Sequence, residues 1–189
     1  MLNLNLVRMK KVVLTFVVVM FAFSVNAQVK IGVSGGIALP MDNFGNAFKM
    51  SFGGGVTAKK MLGDKMAIGL GLSYIMLSPT DEMKAAYGGA DVTTSYMPIN
   101  ASFTYYFATE GFKPYAGIDL GYYMFRASYG GISATVSNIG FAPTVGFEYG
   151  FSDKMALDVN AKYHYIMTEG SASSMVGVNV GLVFALGGK

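Results

Sequence analysis

His164 is the only histidine in the 189 residues, and Asp158 and Lys162 precede it at even spacings. On an extended chain, residues an even number apart project from the same face, so these three share one side of a strand. A histidine beside an acid could serve acyl transfer or hydrolysis if a serine stood within reach. Ser73, Ser128, Ser137 and Ser173 are the conceivable nucleophiles, and none sits at a spacing that singles it out. A lone strand histidine on a polar face is more often a hydrogen-bonded filler. No catalytic residue is therefore assigned, and the expectation is a protein that is not an enzyme. Gly53, Gly54 and Gly55 lie inside a strand pattern with no helix after them, unlike a nucleotide loop. No metal-ligand cluster stands out, and no cofactor is expected.

The other residues capable of polar chemistry are Lys30, Lys59, Asp119, Glu148, Asp158 and Lys162. Each lies on the polar side of a stretch that alternates polar with apolar, the signature of a half-buried strand. Eight such stretches are expected. Val29 to Leu39 sets Val29, Ile31, Val33, Ile37 and Leu39 against Lys30, Gly32, Ser34, Gly36 and Ala38. Met50 to Lys60 sets Phe52 and Val56 against Ser51, Thr57 and Lys59, and Met66 to Met76 sets Ile68, Leu70 and Tyr74 against Gly69, Gly71 and Ser73. Thr94 to Phe107, Phe112 to Phe125, Ser137 to Tyr149, Met155 to Tyr165 and Met175 to Leu186 keep the same construction.

The expected connections alternate long and short. Pro40 to Asn46, Leu77 to Asp91, Arg126 to Val136 and Ile166 to Ser174 are the longer ones, and residues 62–65, 108–111 and 150–154 are the short turns. In the second long connection Ser78 reads as an N-cap, Pro79 as a first-turn residue, Asp81 and Glu82 as first-turn acids and Gly88 as a terminator of one or two helical turns. Alternating connections of this kind define an up-and-down barrel with both termini on the short-turn side. The segment Asp64-Lys65-Met66-Ala67-Ile68, with Tyr74 beyond it, is echoed by Asp153-Lys154-Met155-Ala156-Leu157 and Tyr163.

Composition decides where such a barrel sits. Glycine is abundant at 25 residues, aromatics make up 14% and charged residues only 13%. Arg8, Lys10 and Lys11 precede an apolar run from Val12 to Phe23 and a small-residue exit at Ser24 to Ala27. This is the layout of a secretory signal, too short to be a spanning helix, with cleavage expected after Ala27. Residues 1–27 are thus expected to be removed, and 28–189 to form one domain. Without those three cations the formal charge of +3 falls to near neutrality, so no nucleic-acid partner is expected. With no cysteine there is neither a disulfide framework nor a lipoprotein anchor, and the fold itself must hold the protein in a membrane.

A soluble barrel would be greasy inside; a membrane barrel is greasy outside. Lys30, Lys59, Asp119, Glu148, Asp158, Lys162 and His164 all fall on the face opposite the apolar one, where a narrow lumen takes charge and small side chains. A cation placed at the lipid midplane instead would cost about 2–4 kcal/mol. Aromatics on the apolar face gather toward strand ends: Phe103, Tyr105, Phe147, Tyr149 and Phe184 at the short turns, Tyr74, Tyr122, Tyr163 and Tyr165 at the long connections. Two interfacial girdles would look like this.

The last strand carries a further signature. Asn179, Gly181, Phe184 and Leu186 follow the order polar, glycine, aromatic, apolar, which resembles the C-terminal signal by which outer-membrane barrels are recognised by their assembly machinery. With the paired turn-to-strand motifs at Asp64 to Tyr74 and Asp153 to Tyr163, the chain from Gln28 to Leu186 resembles the small eight-stranded outer-membrane barrels of the OmpA and OmpX type. The resemblance implies an all-β, eight-stranded antiparallel up-and-down transmembrane β-barrel in the outer membrane of a Gram-negative-type bacterium. It implies lipid and lipopolysaccharide as surroundings, the β-barrel assembly machinery as a partner, and a monomer. Unlike full-length OmpA, the sequence stops at its barrel, which puts any cell-wall tethering in doubt. The leading functional expectation is a structural or surface-interaction role, its external ligand unspecified, with the inward charges forming a side-chain plug. A narrow pore and a lipid-modifying enzyme are the competing readings.

Overall fold

The alternation read from the sequence closes on itself. In the computed structural model the strands form one closed antiparallel barrel in the order β1-β2-β3-β4-β5-β6-β7-β8. They are β1 (Val29–Met41), β2 (Phe48–Leu62), β3 (Met66–Pro79), β4 (Thr93–Tyr106), β5 (Phe112–Tyr129), β6 (Ile132–Gly150), β7 (Met155–Thr168) and β8 (Ser171–Leu186), with short helices α1 (Asp42–Ala47) and α2 (Asp81–Ala86). The structure describes residues 28–86, 93–130, 132–168 and 171–186. The expected signal at 1–27 and the terminating Gly88 of the second long connection lie outside the described residues.

Closure is made by β8 against β1, in register from Val29↔Leu186 to Met41↔Ser174. Two glycines make that seam possible. A Cβ at Gly36 would run into the backbone of Val178, and one at Gly181 into the backbone of Val33. The two strands approach closely because neither position carries a side chain.

The apolar parity faces outward around the ring, as expected. Val33, Phe52, Ile68, Ile99, Leu120, Val145, Val180 and Leu182 are all exposed although large and apolar. Ala67, Tyr106, Tyr115, Tyr123, Ala142, Asp119, Glu148 and Asp158, on the opposite parity, are buried. Prolines interrupt two ladders. Pairing is interrupted, with the register kept, between Leu72↔Ile99 and Ile75↔Tyr96, beside Pro98, and between Phe141↔Tyr165 and Thr144↔Lys162, beside Pro143, since a proline nitrogen has no hydrogen to donate.

Several boundaries differ from the sequence reading. Pro79 closes β3 rather than opening a helix, and Thr80, not Ser78, caps α2: its hydroxyl accepts from the Met83 N–H at 3.3 Å. Ser51 lies at a β-bulge between Lys49 and Phe52 that reads as plain strand in the sequence. There its hydroxyl accepts from the Ser78 N–H at 3.1 Å and donates to the Lys49 carbonyl at 2.9 Å.

The largest correction concerns 126–136 and 166–174, expected as loops. Strand pairing instead runs up to Tyr129↔Ile132 in one hairpin and Thr168↔Ser171 in the other. The first turns at Gly130, whose φ of 56° suits glycine. The reason for the misreading is a reversal of polarity. The outward parity carries Tyr122 and Met124 and then Arg126 and Ser128, while the inward parity turns apolar with Phe125, Ala127 and Tyr129; β6 mirrors this with Ser133, Thr135 and Ser137 outward and Ile132, Ala134 and Val136 inward. Strands that leave hydrocarbon for water must swap faces, and the swap erases the pattern that marks a lipid-facing strand.

Two predictions follow from this layout. Leu120 lies near the middle of the outward row and is 63% exposed, so Leu120→Arg should lower the unfolding free energy in lipid vesicles by about 2–4 kcal/mol, read from urea titrations. At the water-exposed end, Lys49 Nζ lies 2.7 Å from Asp81 Oδ2. The hydrogen bond from Lys49 and its charge hold the Asp81 carboxyl below the usual carboxylate range. A depressed folded-state value means the contact contributes above the ordinary carboxylate pKa and is lost as pH falls through the lowered one. NMR titration of Asp81 should show that depression, and Lys49→Met should remove most of it, leaving the smaller effect of Lys84.

Candidate functional site

The lumen is the one place where the fold gathers the polar residues singled out in the sequence. At its short-turn end Glu148 of β6 accepts hydrogen bonds from Lys30 Nζ of β1 at 2.6 Å and from the Tyr106 hydroxyl of β4, also at 2.6 Å. Lys59 Nζ of β2 stands 4.0 Å from the other side of the same carboxylate. Each ammonium also covers an aromatic face: Lys30 lies 4.6 Å from the Tyr106 ring centroid and Lys59 lies 4.8 Å from that of Tyr115. The two tyrosine rings pack at 5.5 Å with Ala67 beneath them and Met61 alongside. Two cations thus share one acid, and the π faces take up part of the excess positive charge.

Above this floor the acids are held differently. Asp158 has neutral hydrogen-bond donors, the Tyr115 hydroxyl at 2.8 Å and the Asn160 amide. Asn160 in turn accepts from Asn179 at 3.1 Å, which draws a residue of the assembly-signal pattern into the network. Asp119 accepts from Lys162 at 2.6 Å and Asn100 at 2.8 Å. His164 reaches the Tyr123 hydroxyl through Nδ1 at 3.0 Å. Among the described residues no buried side-chain nitrogen or oxygen lacks a hydrogen-bond partner. A buried charge needs an ion pair or hydrogen bonds to satisfy it; Glu148 and Asp119 have both, and Asp158 has its neutral donors.

The far end of the lumen is apolar. Ala38, Phe48, Ile75, Leu77, Tyr96, Tyr123, Ile166 and Met175 form a buried cluster, with Phe44, Ala47, Met83 and Phe125 packed on it. Phe44 comes from α1, which is tied down where Ser174 donates to Asp42 Oδ2 at 2.6 Å, and Met83 comes from α2. Edge-on rings join Phe44 to Tyr96, Tyr96 to Tyr123 and Phe48 to Phe125 at about 6 Å. Between this cap and the tyrosine floor remains a polar cavity of about 80 Å³, bordered by Lys59, Asp119, Asp158, Lys162, His164 and Asn179 among others. That is room for a few water molecules.

All seven lumen residues named from the sequence, Lys30, Lys59, Asp119, Glu148, Asp158, Lys162 and His164, therefore line one interior. The residues that could have made His164 a catalytic base are engaged elsewhere: Asp158 with Tyr115, Lys162 with Asp119. Ser128 is bonded to Ser133 in the protruding hairpin. Sequence reasoning placed Tyr106, Tyr115, Tyr123, Asn100 and Asn160 on the inward parity without recognising them as the donors that satisfy the charges. The available signal was a tyrosine standing in the polar phase of a strand. Phe184 and Leu186 of the assembly-signal pattern sit on the outward parity of β8, and Gly181 sits at the seam.

A closed antiparallel barrel with a greasy outer belt and a paired-charge interior defines a transmembrane β-barrel. Residues 12–184 match the family model described as outer membrane protein beta-barrel domain, and the chain belongs to that family. Solved structures share the fold. Neisserial surface protein A is 18% identical, with a TM-score of 0.69 over 82% of this chain and 96% of its own. Ail of Yersinia pestis, the attachment invasion locus protein, crystallised with the heparin analogue sucrose octasulfate, is 12% identical, with a TM-score of 0.60 over 86% of this chain and 100% of its own. OprG of Pseudomonas aeruginosa is 14% identical, with a TM-score of 0.56 over 86% and 98%. No curated protein matches the sequence.

The Glu148 cluster is testable by paired substitution. Glu148→Leu strips Lys30 of its acid and leaves Lys59 with Asp158 alone, and should cost about 3–5 kcal/mol of stability. Adding Lys30→Met should recover part of that loss, because the better-paired cation goes with its partner. Urea unfolding of both variants in lipid checks the sign of the coupling.

Proposed function

We propose that this protein is a non-enzymatic outer-membrane barrel with a closed lumen, acting through a structural or surface-interaction role. The reading is supported by side chains packed at both ends of the lumen, Phe44, Phe48, Tyr96 and Phe125 on one side and Tyr106, Glu148 and Lys30 on the other. On this reading the charged network is a plug that fixes strand register, and His164 is a member of it. Export through a signal removed after Ala27, assembly guided by Asn179, Gly181, Phe184 and Leu186, and a single barrel per membrane site belong to the same proposal. Its surroundings are outer-membrane lipid and lipopolysaccharide.

A polyanion ligand like the heparin analogue seen with Ail finds less support. Among the described residues of the water-exposed end the cations Lys49, Lys84 and Arg126 are matched by the acids Asp42, Asp81 and Glu82, and Lys49 is paired with Asp81. A second reading, a narrow pore, is favoured by the cavity of about 80 Å³ in mid-lumen. Bilayer recordings of refolded protein separate the two. The closed reading expects no steady single-channel openings for the wild type, and none when Phe44 and Phe48 are both replaced by alanine, because Tyr106, Glu148 and Lys30 still fill the other end. Steady wild-type openings whose size changes in Asp119→Asn would establish the pore instead.

A further inference from the structure

The chain holds 14 methionines, no cysteine and no tryptophan. Membrane girdles are usually built from tryptophan and tyrosine, and here the aromatics are tyrosine and phenylalanine alone. The methionines of the outer face are not scattered. Met41 of β1, Met50 of β2, Met76 of β3, Met97 of β4, Met124 of β5 and Met167 of β7 each supply the last outward apolar side chain at the water-exposed end of their strand. Among the described residues the middle of the outward belt carries no methionine, and only Met66 and Met155 face outward at the short-turn end.

Strand register fixes the level of this row. Met97 lies opposite Met124, Met124 opposite Ser137 and Met167 opposite Ile139, so these side chains stand where polarity reverses. Tyr74, Tyr122 and Tyr165 occupy the outward positions one step further into the belt, which puts Met76, Met124 and Met167 on the water side of the tyrosine girdle. Met76 is 59% and Met167 52% exposed, Met41 and Met50 are exposed as well, and Met97 and Met124 are half-buried, whereas Met175 in the apolar cap is fully buried.

A thioether takes one oxygen atom from a two-electron oxidant and becomes a sulfoxide, which is polar. With hypochlorous acid the net step forms an S–O bond from the sulfur lone pair and breaks the O–Cl bond; chloride leaves, the proton goes to water, sulfur is oxidised by two electrons and chlorine is reduced by two. The penalty for a polar group on the lipid face falls toward the interface. Oxidation at this row therefore spares the barrel's hold on lipid, which oxidation in mid-belt would weaken. Cysteine and tryptophan, the other side chains that such oxidants attack readily, are missing from the chain.

We infer that Met41, Met50, Met76, Met97, Met124 and Met167 form a sacrificial row that consumes two-electron oxidants of the hypohalous acid class at the outer boundary of the membrane. Short turns of outer-membrane barrels face the periplasm, so the row stands on the side from which an external oxidant arrives. The inference goes beyond the closed-barrel reading and holds whether or not the lumen conducts.

Protein refolded into dioleoylphosphatidylcholine vesicles and dosed with hypochlorous acid tests it. Peptide mass mapping should show the six row methionines converted to sulfoxide at least tenfold faster than Met175, with heat-modifiable gel mobility unchanged once all six are converted. Replacing all six by leucine, with folding checked by the same mobility, should remove about six equivalents of oxidant consumed per barrel before chlorohydrins appear on the lipid. A milder variant with leucine at Met76, Met97 and Met124 alone should remove about three. Row methionines oxidised no faster than Met175 would show that lipid covers them, and the inference fails. Loss of the folded mobility on oxidation overturns it too, as does an unchanged lag before lipid damage in the leucine variants.

Discussion

In hydrocarbon there is no water to satisfy a free peptide group, and each one left unpaired costs several kcal/mol. Everything else in this structure depends on that constraint. It requires the sheet to close, so β8 must meet β1, and they meet along thirteen register pairs from Val29↔Leu186 to Met41↔Ser174. It fixes the period at two, because a closed sheet has an outside that lipid touches and an inside that it does not. Gly36 and Gly181 matter for the same reason: side chains there would push apart the ladder that removes the last free edge within the membrane.

Once charge is confined to the interior it must be satisfied there, and the interior does so in three ways. Glu148 takes a salt bridge with a second cation near it, Asp119 takes one lysine and an amide, and Asp158 takes only neutral donors. The tyrosines link these solutions. Tyr106 gives its hydroxyl to Glu148 and its ring to Lys30, while Tyr115 gives its hydroxyl to Asp158 and its ring to Lys59. Each tyrosine thus serves one acid and one base at once, and the short-turn end of the lumen is lined by the same groups that neutralise it.

How much of this could be read in advance follows from where one physical rule operates. Inside the lipid belt the rule is single and strong, so the barrel and its eight strands are legible from alternation, and the inward placement of Lys30, Lys59, Asp119, Glu148, Asp158, Lys162 and His164 from alternation joined to the charge and aromatic distribution. Which inward residue meets which is not. Tyr106 and Glu148 are on strands separated by β5, and their contact depends on twist and tilt across the barrel, which a linear pattern does not encode. Pro79 was misplaced for a local reason: a proline suits either the first turn of a helix or the end of a strand, and the ladder of β2 with β3 decided between them. Residues 126–136 and 166–174 look like loops in the sequence because their polarity does not match the strands below.

That mismatch carries information of its own. A strand that keeps its period but exchanges its faces is crossing from lipid to water, so the exchange in β5 between Met124 and Arg126, matched in β6 between Ile139 and Ser137, marks the outer boundary of the belt. It also explains why the cap over the lumen is apolar. Above the boundary the outward face meets water and the inward face is free to form a small core like that of a soluble protein, which is where Phe48, Tyr96, Phe125 and Met175 are found. The barrel therefore has two kinds of interior stacked along its axis, a polar one where lipid surrounds it and an apolar one where water does. Each is the inverse of its surroundings, as a sheet with only two faces requires.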